Sequence, residues 1–255
     1  MFSEERKKVI LQLLEENERV LAKDLAKMFH VSVDSIRRDL HSMEEEGLLT
    51  RTHGGAIPLM QTRITPPPPA VRYKEGAKTE QAIAKAAASY IEENSTIFIG
   101  GASIHYMMLT YLPNDLPFTV ITNSIRIADA LREKDHIDCY LIGGKVKKSG
   151  NITDAFSQEF IRNFNLDLCF LTGGGLSRTG LSTNTPETAL STRIVAEHSR
   201  KTICLIGHQK FGTASFAKVL PLSKLHLIIT DEETAEEKVQ ALRELGSHIV
   251  AAPPI

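Results

Sequence analysis

The sequence has no tryptophan, only three cysteines and almost no net charge. Cys139, Cys169 and Cys204 lie far apart inside apolar runs, an odd number with no second Cys or His at zinc-like spacing. That argues against a disulfide framework or a metal site, and no metal or cofactor is expected. No apolar run reaches the ~18 residues that a membrane-spanning helix needs. The opening Met1-Phe2-Ser3-Glu4-Glu5-Arg6-Lys7-Lys8 holds no secretory apolar segment, so a cytoplasmic location with no membrane partner is expected. Thirty Lys and Arg face 31 Asp and Glu. Any binding to a polyanion must therefore come from local arrangement, not overall charge. What is present is an ordinary globular composition over 255 residues, 42% hydrophobic and 24% charged. It excludes collagen, a disordered chain and a coiled-coil rod, and suits one large domain or two smaller ones.

Thr65-Pro66-Pro67-Pro68-Pro69-Ala70 is the clearest break. Four prolines remove four backbone donors and favour an extended spacer. The chain then divides into a head (1–60), a linker (61–72) and a body (73–255). The head has helical apolar spacing almost throughout. The body alternates β-rich runs with helical segments, which predicts a parallel sheet with crossover helices.

In the head, Val9, Ile10, Leu13 and Leu14 form one stripe of a helix from 3 to about 16. Leu25, Ala26, Met28 and Phe29 mark a second, shorter helix, whose start at Leu21 lacks a capping side chain. The third helix has stronger signals. Ser32 is a good N-cap, Val31 and Ile36 fit a hydrophobic staple, and Gly47 suits a stop. At 100° per residue, Ile36, Leu40 and Met43 face one way. Asp34, Arg38, His41 and Glu45 point the other way, flanked by Arg37 on one side and Ser35 and Ser42 on the other. A helix anchored by one face, with paired arginines near its start, has the form of a recognition helix in a helix-turn-helix. Arg37 and Arg38 can bond guanine or phosphate. Asp39 lies nearer the core flank and is expected to hold an arginine in place. Next, Leu48 to Pro58 reads as a β-wing carrying Arg51 and His53. Gly54-Gly55 would supply positive φ for the turn, and Pro58 would require an edge strand. The expected DNA-contacting set is Ser32, Asp34, Ser35, Arg37, Arg38, His41, Arg51, His53 and Gly54. Against it stands the head's charge: 9 Lys and Arg but 11 Asp and Glu in residues 1–60.

These segments together, from Glu5-Arg6 through Val31-Ser32-Val33-Asp34-Ser35-Ile36-Arg37-Arg38-Asp39-Leu40 to Arg51-Thr52-His53-Gly54-Gly55-Ala56, resemble the head of DeoR-family bacterial transcription regulators. Ser35 replaces the family's usual Thr, and Leu21 its usual hydroxyl. The resemblance implies a body akin to the sugar-phosphate isomerase and CoA-transferase α/β fold. It also implies release from an operator by a phosphorylated sugar or related metabolite.

In the body, residues 96–99, 118–122, 139–142, 168–171, 202–206 and 225–229 read as buried strands. Several end in small or polar residues: Gly100-Gly101-Ala102-Ser103, Asn123-Ser124, Gly143-Gly144 and Gly173-Gly174-Gly175. Ligands of open α/β sheets bind at the carboxyl ends of strands, and glycines let backbone N–H groups close on a phosphate. Glycines at strand ends also serve plain turns. The expected effector set is Gly101, Ala102, Ser103, Asn123, Ser124, Gly143, Gly144, Glu187 and Lys210. The family resemblance covers Ile121-Thr122-Asn123-Ser124, Leu141-Ile142-Gly143-Gly144, Gly173-Gly174, Glu187, Lys210-Phe211-Gly212 and Ile228-Ile229-Thr230-Asp231. It fails where family acids are replaced by Gly100 and Gly207, which implies a changed effector or a weakened site. The cysteines are expected to be inert core thiols, and Phe156, Phe160 and Phe164 a core or subunit-contact stripe.

The sequence thus predicts a small all-α winged helix-turn-helix domain joined to a larger Rossmann-like α/β domain. Its expected role is that of a homodimeric or homotetrameric repressor of carbohydrate genes. Expected partners are a double-stranded DNA operator and a small anionic metabolite. Two alternatives are a body that only oligomerises or docks a partner, and a sugar-phosphate isomerase with Glu187 as general base.

Overall fold

Ile10 and Leu14 from the first helix meet Ile36, Leu40 and Met43 from the third, all at most 2% exposed, and form the centre of the N-terminal unit. The computed structural model describes residues 3–17, 19–46, 48–58 and 78–255. Within it the chain forms two units, Met1–Gln61 and Thr62–Ile255. The proline-rich stretch 61–72 and the Gly47 stop lie outside the described residues.

The first unit runs α1 (Ser3–Asn17), β1 (Val20–Leu21), α2 (Ala22–Phe29), α3 (Val33–Glu45), β2 (Leu49–Thr52) and β3 (Gly55–Pro58). The wing has three strands, in the order β1-β3-β2. The two-residue β1 was not visible in the sequence, because so short an element has no period to read. It makes β3 central, which corrects the edge-strand expectation for Pro58. That proline is tolerated because β1 pairs only with Gly55 and Ala56, so no ladder bond is demanded of position 58 from that side. The absent cap at Leu21 is also made good: the Ala22 N–H donates to the Gly54 carbonyl at 2.8 Å, so the wing turn caps α2. Met28, expected on the apolar stripe, is instead 54% exposed.

The second unit opens with α4 (Lys78–Ala88). It continues through β4 (Thr96–Ile99), α5 (Ser103–Met108), β5 (Phe118–Thr122), α6 (Ile125–Leu131), β6 (Ile137–Leu141), α7 (Ala155–Ile161) and β7 (Leu166–Leu171). A hairpin of β8 (Gly175–Ser177) and β9 (Gly180–Thr183) leads to α8 (Pro186–Glu197) and β10 (Ser199–Leu205). Then come β11 (Ala217–Leu220), β12 (Leu227–Asp231), α9 (Glu236–Arg243) and β13 (Ile249–Ala252). Seven parallel strands form one sheet in the order β13-β12-β10-β7-β4-β5-β6.

Alternation along the strands fills two cores. Ile97, Ile99, Leu168, Phe170, Ile203 and Leu205 pack with α4, α5 and α6. Phe98, Cys169, Leu171, Cys204 and Ile206 pack with α7, α8 and α9. A parallel sheet covered on both faces needs such unbroken apolar runs. The chain moves outward from β4 to β6, then crosses back to place β7 on the other side of β4. The reversal of strand order between β4 and β7 is where such folds bind ligands. The antiparallel sheet β11-β9-β8 and the last strand, β13, went unread in the sequence. Among the described residues no helix is long and apolar enough to cross a membrane.

Candidate nucleic-acid interface and effector cleft

The recognition helix is positioned by its start and its inner face. His30, in the left-handed conformation (φ 52), closes α2. Ser32 then accepts a bond from the Ser35 N–H at 3.1 Å and opens α3. The inner face is locked by Asp39, 7% exposed, whose carboxylate takes Nε and Nη2 of Arg6 at 2.8 and 2.7 Å. Arg37 and Arg38 stand exposed on the outer face with Asp34 and His41. Arg37 is held by Asp34 at 3.2 Å, between side chains 61% and 81% exposed, so solvent screening leaves this pair weak.

The acidic run at the end of α3, Glu44 to Glu46, is engaged. Glu46 binds Lys7 at 2.7 Å and Ser42 at 2.8 Å, bonds that hold its carboxyl below the usual range. Glu44 accepts the Arg51 N–H at 2.8 Å, and Glu45 lies 3.6 Å from His41. Arg51 also meets His41 at 3.1 Å, so α3 and the wing are tied together by the residues expected to face DNA. His53 and Gly54 are exposed at the turn. The expectation of positive φ at Gly54-Gly55 is corrected: neither glycine adopts it. Gly55 is required for another reason, because a Cβ there would strike the Val20 carbonyl of β1.

In the body, the loops after β4 and β5 are stitched to a third segment, residues 150–152. Asn123 accepts the Gly101 N–H at 3.1 Å and donates to the Ile152 carbonyl at 3.0 Å. Asn151 donates to the Gly101 carbonyl at 2.8 Å. Ser124 is buried, its N–H on the Thr122 hydroxyl at 3.1 Å. Asn123 and Ser124 are thus engaged inside the protein at the carboxyl end of β5. Ala102 and Ser103 open α5 and are half-buried. Gly143 is open to solvent. Gly144 has φ +140 and packs against Asp154, where a side chain would not fit. Asp154 takes the N–H groups of Lys145 and Ser157 at 2.8 and 3.0 Å, which holds its carboxyl below the usual range. Glu187 is exposed in the first turn of α8, and Lys210 is exposed after β10. Of the expected set, Gly101, Asn123 and Ser124 are joined through residues 150–152; Glu187 stands in α8 and Lys210 in the turn after β10.

Asn151, Asp154, His208 and Asp231 shape this end of the sheet and were not picked out as site residues. His208 Nδ1 lies 2.8 Å from Asp231 Oδ1, and its N–H lies 2.8 Å from Oδ2. A carboxylate only accepts, so the ring proton is on Nδ1. A Cβ on Gly207 would come within 3.5 Å of Asp231 Oδ2, so an acid at 207 would face this 1% exposed carboxylate. The signal was available: a histidine directly follows the glycine that replaces the family acid. At Gly100, a Cβ would sit 3.2 Å from the Phe98 ring and 3.5 Å from His105 Nδ1. His105 Nδ1 meets the Gly100 carbonyl at 2.9 Å, and burial pushes this histidine down to about 4.

Cys169 and Cys204 are buried, and burial pushes both thiols up to about 12; Cys139 is half-buried and also raised. Phe156 is 80% exposed, whereas Phe160 and Phe164 are partly buried and stack 5.2 Å apart. Among the described residues no cluster of His, Cys, Asp and Glu could hold a metal ion.

A winged helix-turn-helix followed by a doubly covered parallel sheet defines a two-part DNA-binding regulator. Residues 6–62 match the DeoR-like helix-turn-helix domain and residues 76–232 match the DeoR C terminal sensor domain, and the chain belongs to the DeoR family. It is 31% identical to the HTH-type transcriptional repressor GlcR of Bacillus subtilis, over 91% of this chain and 89% of that one. It is 30% identical to the HTH-type transcriptional regulator GolR of Listeria innocua, over 96% and 97%. The lactose phosphotransferase system repressor of Staphylococcus aureus is 29% identical over 95% and 97%. The ribose 5-phosphate isomerase A of Methanocaldococcus jannaschii overlaps 51% of this chain and 52% of its own, at 14% identity and a TM-score of 0.39. With relatives that are named regulators and repressors, the protein is a transcription regulator, not an enzyme, and the isomerase alternative is set aside.

Proposed function

We propose that the protein is a cytoplasmic repressor of carbohydrate genes. In this reading two heads of a homodimer or homotetramer grip half-sites of a double-stranded operator, about one helical turn apart. Ser32, Asp34, Ser35, Arg37, Arg38, His41, Arg51, His53 and Gly54 form the contact surface. Arg37 and Arg38 read or clamp the duplex, since both are exposed on a helix whose inner face is locked. That placement carries the proposal. A repressor named for a lactose phosphotransferase system, at near full-length coverage, supports the gene class. The test is fluorescence anisotropy with duplex from the protein's own upstream region. Replacing both arginines with Ala should abolish specific binding, and unchanged affinity would refute the assignment.

The body in this reading takes a small phosphorylated or otherwise anionic metabolite at the carboxyl ends of the strands. Gly101, Ala102, Ser103, Gly143, Gly144, Glu187 and Lys210 line the site beside Asn123 and Ser124. Binding must favour one arrangement of the protein to change operator affinity. A second reading keeps DNA binding and gives the body only oligomerisation or partner docking. The internal use of Asn123 and Ser124, with glycine at 100 and 207, favours it. Thermal shift with a panel of sugar phosphates separates the two. A saturable rise in melting temperature ends the second reading, and no rise with any of them ends the first for that ligand class.

A further inference from the structure

β6 ends the seven-stranded sheet: β5 lies on its inner side and, among the described residues, no strand lies on its outer side. An open edge presents unpaired N–H and C=O groups, and proteins guard such edges with Lys, Pro or a covering segment. The five residues of β6, Ile-Asp-Cys-Tyr-Leu, include neither Lys nor Pro. Each face beside the edge carries exposed apolar side chains, and Asp138 is the one charge within the strand. On one face Leu141 is 41% and Ile125 40% exposed. On the other, Tyr140 is 49% exposed and packs on Phe164 with ring centroids 6.0 Å apart.

The two ends of this strand carry opposite charge. Residues 129–138 hold four acids against Arg132 and Lys134, and Arg132 is already ion-paired with Asp129 and Glu133. Residues 141–154 hold Lys145, Lys147 and Lys148, all exposed, against the single acid Asp154. We propose that β6 is the seam of a homodimer, in which two copies pair their β6 strands antiparallel about a two-fold axis. Such pairing sets the start of each strand against the end of the other. The acidic end of each copy then meets the lysine end of its partner, and the exposed apolar side chains of Leu141 and Tyr140 are covered at the seam. Parallel pairing would set like charges together. The occupant that suits this edge is therefore a second copy of the chain.

The proposal rests on the reading that two heads act on one operator. The test is sedimentation velocity of the full chain at micromolar concentration. One variant reverses the acidic end (Glu133→Lys, Asp135→Lys, Asp138→Lys). The other reverses the basic end (Lys145→Glu, Lys147→Glu, Lys148→Glu). Each alone should self-associate at least tenfold more weakly than wild type with an unchanged far-ultraviolet circular dichroism spectrum. An equimolar mixture should restore the dimer, because two basic ends then face two acidic ends. Leu141→Glu, an exposed change on the seam itself, should weaken association of wild type in the same way if either triple variant fails to fold. A wild-type oligomer untouched by these changes overturns the seam alone. Variants that separate but do not reassemble on mixing overturn the antiparallel pairing. A wild-type chain that sediments as a monomer overturns both the seam and the paired heads.

Discussion

Arg6, near the start of α1, reaches across to Asp39 of α3 and sets two nitrogens on one carboxylate oxygen, at 2.8 and 2.7 Å. The side chains are 11% and 8% exposed, so the pair sits inside the head. It fixes the rotation of α3 about its own axis, and with it the outward direction of Arg37 and Arg38. Removing one partner of a buried pair leaves a charge without compensation. Asp39→Ala should therefore lower head stability by roughly 3 kcal/mol. Adding Arg6→Ala should recover part of that loss. Thermal unfolding of the two single variants and the double variant measures the coupling, and additive losses would show that the pair contributes little.

The Asp34–Arg37 contact is the opposite case: exposed, 3.2 Å long, and on the face turned to solvent. Replacing Asp34 with Ala should leave stability within about 0.5 kcal/mol. It should also raise affinity for non-specific duplex, since it frees a cation and removes an anion facing phosphate. Arg38→Ala should lower affinity and reduce the slope of log K against log salt by about 1. Anisotropy titrations at several salt concentrations read both effects.

The wing offers a contrast between adjacent glycines. A Cβ at Gly55 would meet the Val20 carbonyl, whereas at Gly54 nothing lies within 4 Å. Gly55→Ala should cost roughly 1–3 kcal/mol and loosen the wing, while Gly54→Ala should be nearly silent. Equal melting temperatures for the two variants would contradict this account.

His105 gives the body a dependence on acid. Burial lowers its value from 6.5 to about 4, so folding favours the neutral ring. A depressed folded value contributes stability that is full above 6.5 and is lost as pH falls toward about 4. The loss approaches about 3 kcal/mol at the acid limit. Urea titrations of wild type and His105→Asn across that window should converge as pH falls.

The cysteines act in the alkaline range. Cys169 and Cys204 rise from 9.0 to about 12, so the neutral thiol is favoured by folding, and their contribution to stability is lost as pH climbs from about 9 toward 12. At pH 8 a thiol reagent should modify only half-buried Cys139 in the native protein, and that slowly, because its thiol is also raised. Rapid modification of all three without denaturant would refute the burial argument.

Much of this architecture was legible in the chain. The spacing of Ile36, Leu40 and Met43, the Ser32 cap and the Asp39 flank needed only helical geometry, because those relations are local and periodic. The six strands read from apolar runs became six of the seven strands of the parallel sheet, since burial on both faces demands such runs. Local sequence could not say what lies opposite a residue. Asn123 and Ser124 are expected at the effector site, and the bonds that tie them to segment 150–152 could not be read from their neighbours in sequence. Gly55 looked like a turn residue, yet the carbonyl of a two-residue strand far behind it in sequence excludes a side chain. The capping of α2 by Gly54, and the pairing of His208 with Asp231, also join residues more than twenty positions apart. Periodicity and capping thus determined which elements form. Only chain closure over distance decided which polar groups are used up inside the protein and which stay free to meet a partner.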